Sequence, residues 1–177
     1  YDGMKEPALT RTGEISMFVE VSTAEHAAAV AGLAEEIWTE HYTPIIGRDQ
    51  VEYMLEKFQS EDAVCMQIRN GYRYFLISEE GRFIGYFAVE PRGRELFLSK
   101  IYLRADLRRK GHGRKAIRFL ETLAREGGFE KIALTVNKNN KGSIAAYEKI
   151  GFRNLGPLLQ DIGGGFVMDD YRMEKKV

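Results

Sequence analysis

One stretch of the chain concentrates residues able to hold an anion. From Leu98 to Arg114 it reads Leu-Ser-Lys-Ile-Tyr-Leu-Arg-Ala-Asp-Leu-Arg-Arg-Lys-Gly-His-Gly-Arg. An apolar strand ending Ile101-Tyr102-Leu103 runs into a loop of Arg108, Arg109, Lys110, Gly111, His112, Gly113 and Arg114, and a helix starts at once. Glycines let the backbone approach a ligand and aim successive N–H groups into one concavity. The helix N-terminus adds partial positive charge, the flanking cations add more, and the sum describes a pyrophosphate cradle. It is not a Walker A loop, which needs Gly-Lys followed by Ser or Thr, because Gly113 precedes Arg114-Lys115. Nor is it a dinucleotide fingerprint: the third glycine is missing and the loop comes far into the chain. Taken alone, Gly-x-Gly after basic residues marks a sharp turn more often than a site.

A second constellation follows, Asn140-Lys141-Gly142-Ser143-Ile144-Ala145-Ala146-Tyr147-Glu148-Lys149-Ile150-Gly151-Phe152. Asn140 and Tyr147 stand two helical turns apart, so both can face one ligand. Arg108-x-x-Gly111-x-Gly113 behind its apolar strand resembles the acyl-CoA-binding motif of the GNAT superfamily of N-acetyltransferases. The Asn140–Phe152 segment resembles that family's second signature, an Asn followed by a short helix that bears a Tyr and ends Gly-Phe. The order of elements is similar along nearly the whole chain from Ile15. The resemblance implies that the strand of Ile101–Leu103 and the strand of Lys131–Asn137 splay apart, with acetyl-CoA between them. It places the acetyl carbonyl near the main chain of Tyr102 and Leu103, and the pyrophosphate on Arg108–Arg114. Asn140 maps to a contact with the pantetheine arm, and Tyr147 to the general acid that protonates the departing thiolate. A thiolate of pKa roughly 8.5 and a phenol of roughly 10 suit that exchange, and oriented N–H donors stabilise an oxyanion.

Other residues carry less. Trp38, His41 and Tyr42 follow an acidic helix and are expected, with Glu36 and Glu40, at the mouth of an acceptor pocket; core and edge packing is the plainer reading. His112 lies between the glycines, where the backbone matters more than the side chain, and is expected to be structural. An alkylammonium must lose a proton before it attacks. Glu95, Glu40, His41 or a water chain are the candidates for that base, and Ser99-Lys100 stand where some relatives carry a carboxylate. Cys65 reads as a small buried hydrophobe. No metal is implied.

Around these residues the hydrophobic pattern sets the elements. Ile15–Val21 alternates as a strand, Thr23–Thr39 is helical, and Val51, Met54, Leu55 and Phe58 share one helix face that Asp49 can cap. Ser60 can cap a helix to Ile68; Tyr72–Ser78 and Phe83–Val89 form a hairpin through Glu79–Arg82, and Leu96–Leu103 follows the turn Pro91–Gly93. Ala116, Ile117, Leu120, Leu123 and Ala124 stripe the next helix, which Gly127-Gly128 ends. Then come a strand over Lys131–Asn137, a helix over Lys141–Ile150, and two strands around Asp161–Gly165. The expectation is an α/β fold: the GNAT fold, one mixed sheet of about seven strands with flanking helices. Its two strand–helix–strand crossovers should be locally parallel.

The chain has 177 residues, 44% of them hydrophobic, and one cysteine. That suits one domain, expected over 15–177, after a flexible segment 1–14 that opens without a methionine. No apolar run reaches the roughly 20 residues a membrane helix needs, and the single cysteine suits a reduced, cytoplasmic setting. Twenty-six basic residues balance 26 acidic ones, so no global pull toward nucleic acid or a membrane exists. Locally the balance breaks. Glu20–Asp62 carries ten acids against two bases, a net of −8, whereas Arg92–Arg118 carries a net of +8. The expected activity is direct transfer of acetyl from acetyl-CoA to a small primary amine, with a weaker similarity to bacterial polyamine acetyltransferases, by a monomer or homodimer. Protein N-terminal or lysine, amino-acid and aminoglycoside acetyltransferases are the alternatives. A non-catalytic CoA sensor has no need of Tyr147, and a nucleic-acid module on Arg104–Arg118 lacks interleaved aromatics.

Overall fold

The computed structural model describes residues 16–177. The segment 1–14, and Ile15 of the expected first strand, lie outside the described residues. Seven strands form one sheet in the order β1-β2-β3-β4-β5-β7-β6. They are β1 (Phe18–Glu20), β2 (Arg73–Glu79), β3 (Arg82–Arg92), β4 (Glu95–Leu103), β5 (Lys131–Asn137), β6 (Arg153–Gly163) and β7 (Phe166–Lys176). Every neighbouring pair is antiparallel except β4 and β5. That exception follows from the crossover helix α4 (His112–Glu126), because a strand–helix–strand unit returns parallel. The second crossover behaves differently. The helix α5 (Lys141–Lys149) carries the chain from β5 to β6, and the two run the same way, but β7 inserts between them, so they never pair.

Two apolar layers hold the sheet. On one face α4 presents Ala116, Ile117, Leu120 and Ala124 to Phe87, Leu96, Leu98, Ile132 and Leu134, with Ile144 and Tyr147 of α5 at the edge. On the other face lie α1 (Ala24–Ile46), α2 (Arg48–Met54), a π-helical turn (Leu55–Gln59) and α3 (Glu61–Arg69), over Tyr74, Leu76, Tyr86 and Ala88. Thr23 caps α1 by accepting from His26 N–H at 3.2 Å, and Ser60 caps α3 by accepting from Ala63 N–H at 3.3 Å. The first helix continues seven residues beyond Thr39 and through Pro44, because Trp38, Tyr42 and Ile46 extend its inward stripe. Asp49 does not cap α2: Gly47 occupies the cap, and Asp49 sits in the first turn, where its charge meets the helix dipole. Among the described residues, no helix is long and apolar enough to cross a membrane.

Candidate active site

A local irregularity opens the site. β3 pairs Ala88 with Lys100 but Val89 with Leu98, so Ser99 is an extra residue, a bulge in β4. Before it, Leu96 and Leu98 face α4; after it, Ile101 and Leu103 take that face, and Lys100 and Tyr102 turn to the other. The parallel ladder starts at Glu95↔Lys131 and stops at Leu98↔Leu134, although both strands run on. Ser99–Leu103 and Thr135–Asn137 therefore part, leaving a cavity of about 90 Å³ between them. Gly85, opposite Leu103, keeps β3 against this stretch, since a Cβ there would lie 3.1 Å from Leu103 Cα.

Of the residues singled out from the sequence, Ile101, Tyr102, Asn140, Tyr147, Trp38 and Tyr42 line the cavity. Tyr147 packs its ring edge-on to Phe152 at 5.6 Å, and burial pushes its phenol well above the ordinary range, so it is protonated at neutral pH. Asn140 is 5% exposed, and its Nδ2 stands 3.5 Å from Tyr42 Oη. Tyr42 stacks on Trp38 at 4.4 Å and meets Tyr102 edge-on at 5.9 Å; burial pushes its phenol up to about 12.

The glycine loop lies beside the parted strands. Arg109 and Gly111 take positive φ, 63° and 90°, and Gly111 is the N-cap of α4. The first helical bond runs from Lys115 N–H to Gly111 O at 3.0 Å. Among the described residues, the N–H groups from Arg109 to Arg114 donate to no backbone or side-chain oxygen, the condition an anion at a helix N-terminus requires. Arg108 is committed to the fold: Nε donates to Leu103 O at 3.0 Å, and Nη1 lies 3.1 Å from His41 Nδ1. Burial first, then Arg108, lowers the His41 pKa, so neutral imidazole accepts that bond. His112 is buried, its Nε2 3.2 Å from Glu79 Oε1 but poorly aligned for a hydrogen bond.

Several expected residues stand elsewhere. Glu36 pairs with Arg104 at 3.0 Å, and Glu40 is exposed; neither they nor His41 line the cavity. Glu95 is at the far end of β4, held by Arg172 at 2.7 Å and Lys131 at 3.8 Å. Two further ionisable residues line the cavity: Lys100, which the sequence marks only as standing where some relatives carry a carboxylate, and Asp170, which it does not mark. Lys100 is buried, donates to Gln67 Oε1 at 2.7 Å, and has its pKa lowered to about 8 by burial. Asp170 of β7 is 0% exposed, and burial raises its carboxyl to about 6. Adjacent Asp169 and Asp170 in a strand must face opposite sides, so one of the two turns inward, but the local pattern does not say which. No cluster of three or more His, Cys, Asp or Glu side chains among the described residues is placed to hold a metal ion.

The model of the acetyltransferase (GNAT) family matches residues 30–152. No curated protein gives a match. Among solved structures, the PaiA N-acetyltransferase of Thermoplasma acidophilum in complex with coenzyme A is 19% identical, covering 90% of this chain and 99% of its own, with a TM-score of 0.75. A GCN5-related N-acetyltransferase from Rhodopseudomonas palustris is 17% identical over 100% and 99% of the two chains, also at 0.75. An acetyltransferase from Thermus thermophilus is 20% identical over 91% and 97%, at 0.66. With the parted strands and the anion-ready loop both inside the matched segment, the chain belongs to the GNAT family and is an acetyl-CoA-dependent acetyltransferase.

Proposed function

We propose that this enzyme transfers the acetyl group directly to a primary amine, with Tyr147 as proton donor to the departing thiolate. The observation that carries this reading is the convergence of Tyr147, Asn140 and the unpaired edges of β4 and β5 on one cavity. Acetyl-CoA supplies an activated thioester. The free N–H groups of Arg109–Arg114 hold its pyrophosphate, with Arg109, Lys110 and Arg114 adding charge, while Arg108 braces Leu103. The edge of β4 around Tyr102 and Leu103 that faces β5, free of the β4–β5 ladder beyond Leu98, orients the thioester carbonyl, and Asn140 steadies the pantetheine arm. A phenol is already a weaker acid than the thiol and burial widens the gap, so the Tyr147 proton reaches sulfur in step with one arriving from the acylated nitrogen. Tyr147 ends the cycle unchanged.

For the acceptor, the acids between Glu20 and Asp62 favour a cationic amine such as a polyamine through their summed field, since Glu36 and Glu40 lie outside the cavity. Trp38 and Tyr42 supply an aromatic wall suited to an alkylammonium. Thiol release from acetyl-CoA, read against spermidine, free amino acids, an aminoglycoside and short peptides, tests the proposal. Spermidine should be preferred. Preference for a neutral or anionic acceptor would overturn the polyamine reading and leave the transferase intact.

A further inference from the structure

The cavity holds one acid that no step above uses. Asp170 sits on β7 opposite Asn137 of β5 and Leu158 of β6, wholly buried; neither carboxylate oxygen has a well-aligned hydrogen-bond partner among the described residues, and the Thr135 hydroxyl of β5 is near enough only to temper the rise of its pKa. A buried carboxylate without a cationic partner is costly, and folded proteins seldom keep one that nothing uses. The titratable groups facing it are Tyr42 from α1 and Tyr102 from β4, both phenols raised by burial, and Asp169 beside it on β7, which pairs with Lys138. Tyr147 from α5 lines the same cavity. The nearby cations are engaged elsewhere: Lys100 donates to Gln67, and Arg172 of β7 holds Glu95.

The reaction lacks a group of this kind. A primary amine of pKa roughly 10 arrives as an ammonium and cannot attack until it loses a proton. Tyr147 is already protonated, Glu95 is bound at the far end of β4, and Glu40 and His41 do not line the cavity. We propose that Asp170 is the base of this enzyme: its carboxylate pairs with the acceptor's ammonium group and takes one proton from it. This rests on the acetyl-transfer reading above. One N–H bond breaks, one O–H bond forms on Asp170, and the freed lone pair faces the thioester carbonyl. The second proton leaves nitrogen once the C–N bond exists and passes to Tyr147, which has given its own to sulfur. Asp170 then returns its proton to solvent, so an amide, a thiol and one proton are the products. Burial of Asp170 strengthens it as a base while leaving it mostly ionised at neutral pH.

The test is a pH profile of thiol release from about pH 5 to 10, using acetyl-CoA and whichever of spermidine, lysine or an aminoglycoside the wild type acetylates fastest. Asp170→Asn should lower kcat/KM by ~10²–10⁴-fold at neutral pH, with CoA affinity by calorimetry unchanged. That loss should shrink as pH approaches the amine's own pKa of roughly 10, because a free amine needs no base. Asp170→Ala, read the same way, serves if the Asn variant does not fold. A variant within about threefold of wild type, or a loss equal at every pH, overturns the proposal. A wild type that releases no thiol with any acceptor overturns the transferase reading as well; an active wild type with an active Asp170→Asn overturns this inference alone.

Discussion

Gly111 combines a φ of +90° with open space where a Cβ would point, so its requirement is conformational and not one of room. Val at that position must abandon the left-handed geometry and turn the Arg109–Arg114 N–H groups away from a common focus. Gly111→Val should therefore weaken CoA binding at least tenfold by calorimetry, whereas His112→Ala should cost stability and leave CoA affinity nearly unchanged; equal affinities in both would refute the cradle. Asp170 gives a prediction in pH. Its folded pKa of about 6 lies above the ordinary 3.8, so the folded chain binds the extra proton and stability falls as pH rises through that window. At neutral pH the cost is about 3 kcal/mol at most. Asp170→Asn should unfold at higher temperature than wild type at pH 7, with the advantage gone below about pH 4. A difference that stays flat with pH would show that the carboxylate is not desolvated. Gly111, Asn140 and Tyr147 were legible in the sequence because their spacing is their signal. Asp170 was not, because which of two neighbouring acids faces inward depends on the register of β7 against β5.

At the level of elements, the bulge at Ser99 decides where the site opens, and Gly85 keeps β3 close enough to support the bent strand. Gly85→Ala would press on the Tyr102–Leu103 backbone and cost about 1–3 kcal/mol, the usual range for overpacking. It should also weaken CoA binding, seen by calorimetry on the folded variant; unchanged affinity would mean that this part of β4 does not meet the ligand. Apolar patterning and the turns between runs revealed all seven strands and the long helices, although β2 and β3 are covered on both faces and β6 buries no residue fully. They could not reveal that α1 runs on through Pro44, which needed Tyr42 and Ile46 to find inward partners. Nor could they show β7 entering between β5 and β6: that is a long-range pairing, and the local pattern of β5–α5–β6 is the same either way. The parting of β4 from β5 came from the family resemblance, and the ladder's end at Leu98↔Leu134 locates it.

Across the whole molecule, charge is divided between an acidic N-terminal third and a basic centre. Their pairing is partly direct, as in Glu36–Arg104 at 3.0 Å, so the field at the cavity mouth is smaller than the bare counts suggest. KM for spermidine should still rise with ionic strength while kcat changes less, because screening acts over about 8–10 Å at physiological salt. Glu36→Gln with Glu40→Gln should raise KM in the same way, and more through Glu36, whose loss frees Arg104; a KM indifferent to both changes would reduce these acids to a solvated face. On the function proposed above, the parted strands hold acetyl-CoA against Tyr147. The most direct measurement of that arrangement is kcat for Tyr147→Phe beside CoA affinity, since the substitution keeps the ring's packing on Phe152 and removes only the proton. With Tyr147 as the proton donor, kcat should fall ~10²–10⁴-fold at unchanged CoA affinity. A folded variant that loses less than about threefold would contradict it and return Tyr147 to the role of a packing residue.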